Sequence, residues 1–124
     1  GVEVIVTPPG KRQQNLLLLS GGERAMTALA LLFALLKVKP SPFCVMDEID
    51  AALDAANTDR FGELLQDFAH RSQFIIITHN PRTMEKVDVL HGITMQEPGV
   101  SRLISVKLEE AQRAAEQQQS GGEP

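Results

Sequence analysis

Three short stretches of this chain hold residue types that can do chemistry together. Leu19-Ser20-Gly21-Gly22-Glu23 stands at the head of an apolar, Ala-rich segment. Successive glycines at a helix start leave backbone N–H groups uncovered, and a helix N-terminus carries roughly half a positive charge, so an anion is welcome there. The Ser20 hydroxyl adds a donor for a phosphate oxygen. The plainer reading of Ser20 and Glu23 is an S-x-x-E capping box with a glycine-softened entry. Phe43-Cys44-Val45-Met46-Asp47-Glu48 delivers adjacent carboxylates to the end of an apolar run. Paired acids can divide the labour: one holds Mg²⁺, directly or through water, and the other orients or deprotonates an attacking water. The plainer reading is a solvated strand end with a helix-capping Asp, yet Asp50 and Asp54 continue the acidic pattern with no nearby Lys to pair with. Thr78-His79-Asn80-Pro81 follows an Ile-rich run. A neutral His there can reach a terminal phosphate or the water at the neighbouring strand end; taken alone, it is an ordinary loop residue.

Elements of the right kind lie around all three. Val2, Val4, Ile5 and Val6 form a β-branched run closed by Pro8-Pro9-Gly10, which predicts a strand over Gly1–Val6 and a turn. Lys11–Asn15 is polar and reads as loop. Ser20–Lys37 reads as one long helix, with Leu29, Leu32, Phe33 and Leu36 at helical spacing. A helix so apolar is expected to be buried against a sheet. Pro40-Ser41-Pro42 stops it, and Phe43–Met46 then reads as a strand covered on both faces. Thr58–His70 places Phe61, Leu64, Leu65 and Phe68 on one helical face. Gln73–Thr78 is a second doubly buried strand, and a short helix follows Pro81. Val89–Gln96 and Ser101–Lys107 are strands joined by a turn at Glu97-Pro98-Gly99. Leu108–Gln119 starts as a helix and decays into a polar tail expected to be disordered. Alternating strands and helices predict an α/β layer with a parallel sheet, whose ligands bind beyond the carboxyl ends of the strands. No repeat or linker interrupts residues 1–110, so one domain is expected there, followed by a helix end and tail over 111–124.

Composition narrows the class without naming the chemistry. The chain has 124 residues, 43% hydrophobic and 23% charged, with a formal net charge of −4. Such a mix belongs to an ordinary folded domain and excludes disordered, collagen-like and disulfide-stapled classes. Cys44, the single cysteine, cannot form an internal bridge and reads as a small core hydrophobe; no signal peptide is visible, and a reducing cytoplasm is expected. The longest uncharged apolar helical run, Ala25–Leu36, is 12 residues. A membrane span needs about 20, so no membrane partner is expected. The acidic balance gives no general electrostatic case for nucleic acid.

The ordered set of motifs carries a family likeness. The strings LLSGGERAMTALALLF, FCVMDEIDAALDAANTDRF and FIIITHNPRTMEKVDVLHGITMQEPGVSRLISVKLEE resemble the C-terminal half of the ATPase head of bacterial structural-maintenance-of-chromosomes (SMC) proteins, within the ATP-binding cassette superfamily. The likeness covers roughly residues 1–110. It implies an α/β C-terminal lobe of an ABC-type head: a mostly parallel sheet flanked by helices, with a terminal β-hairpin. It further implies that Ser20, Gly21, Gly22 and Glu23 are the signature motif, which meets the γ-phosphate of ATP held by a partner head. Asp47 would be the Walker B acid near Mg²⁺, Glu48 the general base, Ala52-Leu53-Asp54 the D-loop across the dimer interface, and His79 the switch histidine. ATP and Mg²⁺ are the implied cofactors. Implied partners are the N-terminal lobe of the same head, a second head in a homodimer, a kleisin winged-helix domain on the far strands, and DNA through the whole complex. The implied setting is chromosome condensation and segregation in a nucleoid-associated, cytoplasmic assembly.

One element of such a site is missing from this sequence. Cradling phosphates in this class needs G-x-x-x-x-G-K-[ST]. The Gly10-Lys11 pair is followed by Arg12, and Ile5 stands where the first Gly belongs. The expectation is therefore a C-terminal lobe that neither binds ATP tightly nor hydrolyses it alone. Two other readings stay open: the head of a related DNA-repair ATPase, and a non-catalytic module using the glycine signature and hairpin for docking.

Overall fold

The long helix begins where its capping chemistry says it should. The Ser20 hydroxyl accepts the Glu23 N–H at 3.2 Å, and the Glu23 carboxylate accepts the Ser20 N–H at 3.4 Å. This closes the capping box ahead of α1 (Gly21–Val38). In the computed structural model, which describes residues 1–107, the chain divides into two compact units, Gly1–Lys86 and Val87 onward. The helix expected over Leu108–Gln119 and the polar tail lie outside the described residues.

In the first unit, β1 (Ile5–Val6) pairs antiparallel with β2 (Gln14–Asn15), so the expected N-terminal strand is cut to its last residues. A single turn of 3-10 helix over Leu16–Leu18 leads to α1. The strands β3 (Phe43–Asp47) and β4 (Gln73–Ile77) pair in parallel, with Phe43 opposite Gln73 and Asp47 opposite Ile77. Their N-terminal ends are pinned by the buried Ser72, whose hydroxyl donates to the Ser41 carbonyl at 2.6 Å. Between them runs α2 (Ala55–Phe68), capped by the Asp54 carboxylate, which accepts the Asn57 N–H at 2.8 Å. A single turn, α3 (Pro81–Met84), follows with Pro at its head, where its missing N–H costs no helical bond.

The core lies between α1, α2 and one face of the β3–β4 pair. Leu29, Phe33 and Leu36 from α1 meet Phe61 and Leu65 from α2, with Met46 from β3 and Leu53 from the connecting loop. Phe33 is its centre, with the Phe68 ring at 5.0 Å, Phe74 at 6.0 Å and Phe61 edge-on at 6.5 Å. Such offset contacts add to simple burial.

Three expectations about burial are corrected. The paired strands are covered on one face only: Met46 is buried, but Phe43, Val45, Ile75 and Ile77 are 59, 56, 48 and 49% exposed. A continuous apolar run does not by itself reveal whether a second layer is present. Cys44 is partly rather than fully buried. Likewise α1 buries one stripe while Leu31, Leu35 and Val38 stay exposed.

The second unit contains the hairpin of β5 (Val89–Glu97) and β6 (Val100–Lys107), antiparallel with Ile93 opposite Leu103. Gly99 takes φ +79° in its turn, a conformation glycine adopts without a Cβ penalty.

Because Phe33 is the hub of the aromatic cluster, Phe33→Ala should cost about 3–5 kcal/mol of stability, the usual loss for a buried Phe. The exposed Leu35→Ala on the same helix should stay within about 0.5 kcal/mol. Chemical denaturation of the two variants checks the contrast.

Candidate functional site

The site is set by where β3 and β4 stop. Asp47 lies opposite Ile77, and the next backbone N–H, that of Glu48, donates to the Ile77 carbonyl at 2.8 Å. The strands thus end level, and Glu48 emerges beside Thr78 and His79. Among the described residues Glu48 is the non-glycine residue with positive φ, +48°. A left-handed residue bearing a side chain costs about 1 kcal/mol. Here it is held on both sides, by the bond to Ile77 and by the Ala51 N–H donating to the Glu48 carbonyl at 3.2 Å.

The result is an exposed polar pair, His79 Nε2 to Glu48 Oε1 at 2.8 Å. The contact sets the imidazole against one oxygen of the Glu48 carboxyl group. Glu48, His79, Asp50, Ala51, Asn80 and Pro81 line an open pocket of about 350 Å³. Asp47 is exposed at the strand end, next to Glu48 in the chain. Among the described residues no cluster of three or more His, Cys, Asp or Glu could hold a metal alone. The carboxylates of Asp47 and Glu48 are oxygen donors of the kind Mg²⁺ takes one or two of when phosphates supply the rest of its shell.

Asp50 departs from the acidic group in which its sequence places it. It is 2% exposed, and its Oδ2 accepts from the Thr78 hydroxyl at 2.6 Å and from the buried Thr83 hydroxyl. Thr78 Oγ1 in turn accepts the Asn80 N–H at 2.9 Å, and Asn80 Oδ1 accepts the Arg82 N–H at 3.0 Å, which starts α3. Sequence reasoning missed this network. The residues lie 28 and 33 positions apart, and no spacing pattern signals a Thr hydroxyl as the partner of a distant Asp.

The glycine signature forms its own surface group at the head of α1. The first N–H groups of a helix have no intrahelical partner. The capping box satisfies that of Glu23, leaving those of Gly21 and Gly22 at the exposed terminus. Ser20 uses a lone pair for the cap and keeps its own hydrogen to donate. A Cβ on Gly22 would lie 3.2 Å from the Ala52 carbonyl oxygen, so glycine there permits the head of α1 to sit against the 51–54 segment. Glu23 also accepts from Lys11 Nζ at 3.0 Å. That bond, then those from Ser20, hold its carboxyl below the usual carboxylate range. Asp54 is exposed and serves as the α2 cap. The structure therefore joins Glu48 to His79 directly, with Asp47 adjacent, and places Ser20, Gly21, Gly22 and Glu23 as a second group meeting the loop of Asp54.

Comparison with known proteins is consistent across sequence and structure. The family described as "RecF/RecN/SMC N terminal domain" matches residues 12–102. The "Chromosome partition protein Smc" of Bacillus subtilis (strain 168) is 64% identical over 110 residues, 89% of this chain and 9% of that protein. Its counterpart in Halobacteriovorax marinus is 60% identical over 108 residues, 87% of this chain and again 9% of that protein. The chain thus spans about a tenth of the length of these relatives. A solved "SmcHead bound to the C-winged helix domain of ScpA" superposes with TM-score 0.82 at 43% identity, covering 91% of this chain and 34% of that one. The fold is accordingly mixed α/β and similar to SMC ATPase heads. On these grounds the chain belongs to the structural-maintenance-of-chromosomes family.

Proposed function

We propose that this chain is the C-terminal half of an SMC ATPase head, acting with a P-loop lobe and a second head in chromosome partition. The matching family carries an N-terminal description. The C-terminal assignment rests instead on motif order, glycine signature then paired acids then His, in a sequence without a G-x-x-x-x-G-K-[ST] stretch.

The observation that carries the reading is the Glu48–His79 pair beside Asp47 at the carboxyl ends of parallel strands. In the proposed mechanism Glu48 is the general base. His79 would sit against one of its oxygens, and the other would accept the proton of the hydrolytic water. Asp47 would hold Mg²⁺ together with nucleotide phosphates, and that ion would supply charge neutralisation at the phosphoryl group. Ser20, Gly21 and Gly22 offer an hydroxyl and open N–H groups to the γ-phosphate of ATP on the partner head, with Glu23 fixing their geometry. Asp54 would lie across the interface in the D-loop. The uncovered apolar face of Phe43, Val45, Ile75 and Ile77 supports a second layer supplied by the P-loop lobe. The β5–β6 hairpin is proposed to help dock a kleisin winged-helix domain, as a similar solved SmcHead binds that of ScpA. DNA engagement is assigned to the whole complex.

Isothermal titration of ATP into this chain alone should show no micromolar binding; a micromolar isotherm contradicts the lobe assignment. In a head completed with its P-loop lobe, Glu48→Gln should lower turnover by roughly 10²–10⁴-fold, the usual worth of a general base. ATP-dependent dimerisation should survive, because the amide keeps the shape but cannot take the proton. Ser20→Arg should abolish ATP-dependent dimerisation by placing bulk and charge where the γ-phosphate docks. Sedimentation with ATP reads that outcome, and an unchanged dimer argues against the signature role.

A further inference from the structure

We propose that Asp50 is a positioning residue for hydrolysis, acting through Thr78 to hold His79 on Glu48. This rests on the reading of Glu48 as the base and extends it to a residue with no assigned role. Asp50 follows Glu48 by two positions, and Thr78 immediately precedes His79. One carboxyl oxygen of Asp50 therefore ties together the two loops whose tips form the 2.8 Å pair.

The bonds at Thr78 straddle the histidine. Its hydroxyl donates to Asp50 Oδ2 at 2.6 Å on one side and accepts the Asn80 N–H at 2.9 Å on the other. The 78–80 turn is thus closed around His79 by a single side chain, and that side chain is anchored on Asp50. Thr83, fully buried, donates to the same Oδ2 and fixes α3 to the same point. His79 has no comparable support of its own, being 87% exposed.

Energetics favour this purpose over simple packing. A buried carboxyl group costs free energy that an apolar residue of similar size does not. None of the ion pairs among the described residues involves Asp50. Its partners are neutral hydroxyls, and it lines the same pocket as Glu48 and His79. An interaction that spends solvation on holding a turn is expected where the turn's geometry matters to a reacting group.

The test uses the head completed with its P-loop lobe, measuring kcat and KM for ATP. Thr78→Val, which keeps the shape and deletes the hydroxyl, should lower kcat by about tenfold to a hundredfold, the scale of a small misplacement at a reacting centre. KM should stay within about twofold, since the interaction matters only in the chemical step. Thr78→Ser should restore most of the loss by restoring the hydroxyl. Asp50→Ala should behave as Thr78→Val does; if it does not fold, the Thr78 series carries the test. In a His79→Ala background Thr78→Val should cause no further loss of kcat, because its effect passes through His79. Additive losses in that cycle, or full kcat in Thr78→Val, overturn the positioning role alone. Undiminished turnover in Glu48→Gln overturns the base assignment and this inference with it.

Discussion

The parallel pairing of Phe43–Asp47 with Gln73–Ile77 is the constraint on which the rest depends. Parallel strands cannot be joined by a tight turn, so a crossover must lie between them, and α2 is that crossover. Because the register puts Asp47 level with Ile77, the two segments leaving the sheet leave together. A slip of one residue would turn each side chain to the opposite face. Met46 would leave the core, and Glu48 would lose both its backbone bond to Ile77 and its reach to His79. The same register that buries Met46 thus brings an acid and an imidazole into contact.

The core explains why that register holds. α1 and α2 cover a single face of the strands, and Phe33 locks them through ring contacts with Phe61, Phe68 and Phe74. Ser72 and Ser41 fix the strand entrances, while Asp50, Thr78 and Thr83 fix the exits. Apolar packing sets the layer, and polar bonds at both ends set its alignment.

Much of this was legible in the residues themselves. The capping box at Ser20 and Glu23, the proline stop before Phe43 and the apolar stripe through Phe33 are local signals, and each element they announce is present. The acids at Asp47 and Glu48 and the His at 79 were legible because strand ends concentrate ligand chemistry. What stayed hidden was long-range or collective. The bonds from Thr78 and Thr83 to Asp50 depend on tertiary proximity, which no local period encodes. The openness of the Phe43–Val45–Ile75–Ile77 face was hidden for another reason. An apolar run reads the same whether its cover belongs to this segment or to another. The lobe assignment, the nucleotide roles and the partners follow from motif order and likeness, and stand as proposals.

The backbone at Glu48 has a consequence for anyone redesigning this domain. A φ of +48° is the geometry that glycine and asparagine adopt most readily. A sequence optimised against the backbone alone would be drawn to one of those residues there. It would gain a more relaxed turn and erase the carboxylate in the same step. The mismatch between the residue present and the residue the backbone favours is therefore itself informative. In a related sequence, Gly or Asn at this position would mark a head domain that has kept its architecture and given up its acid.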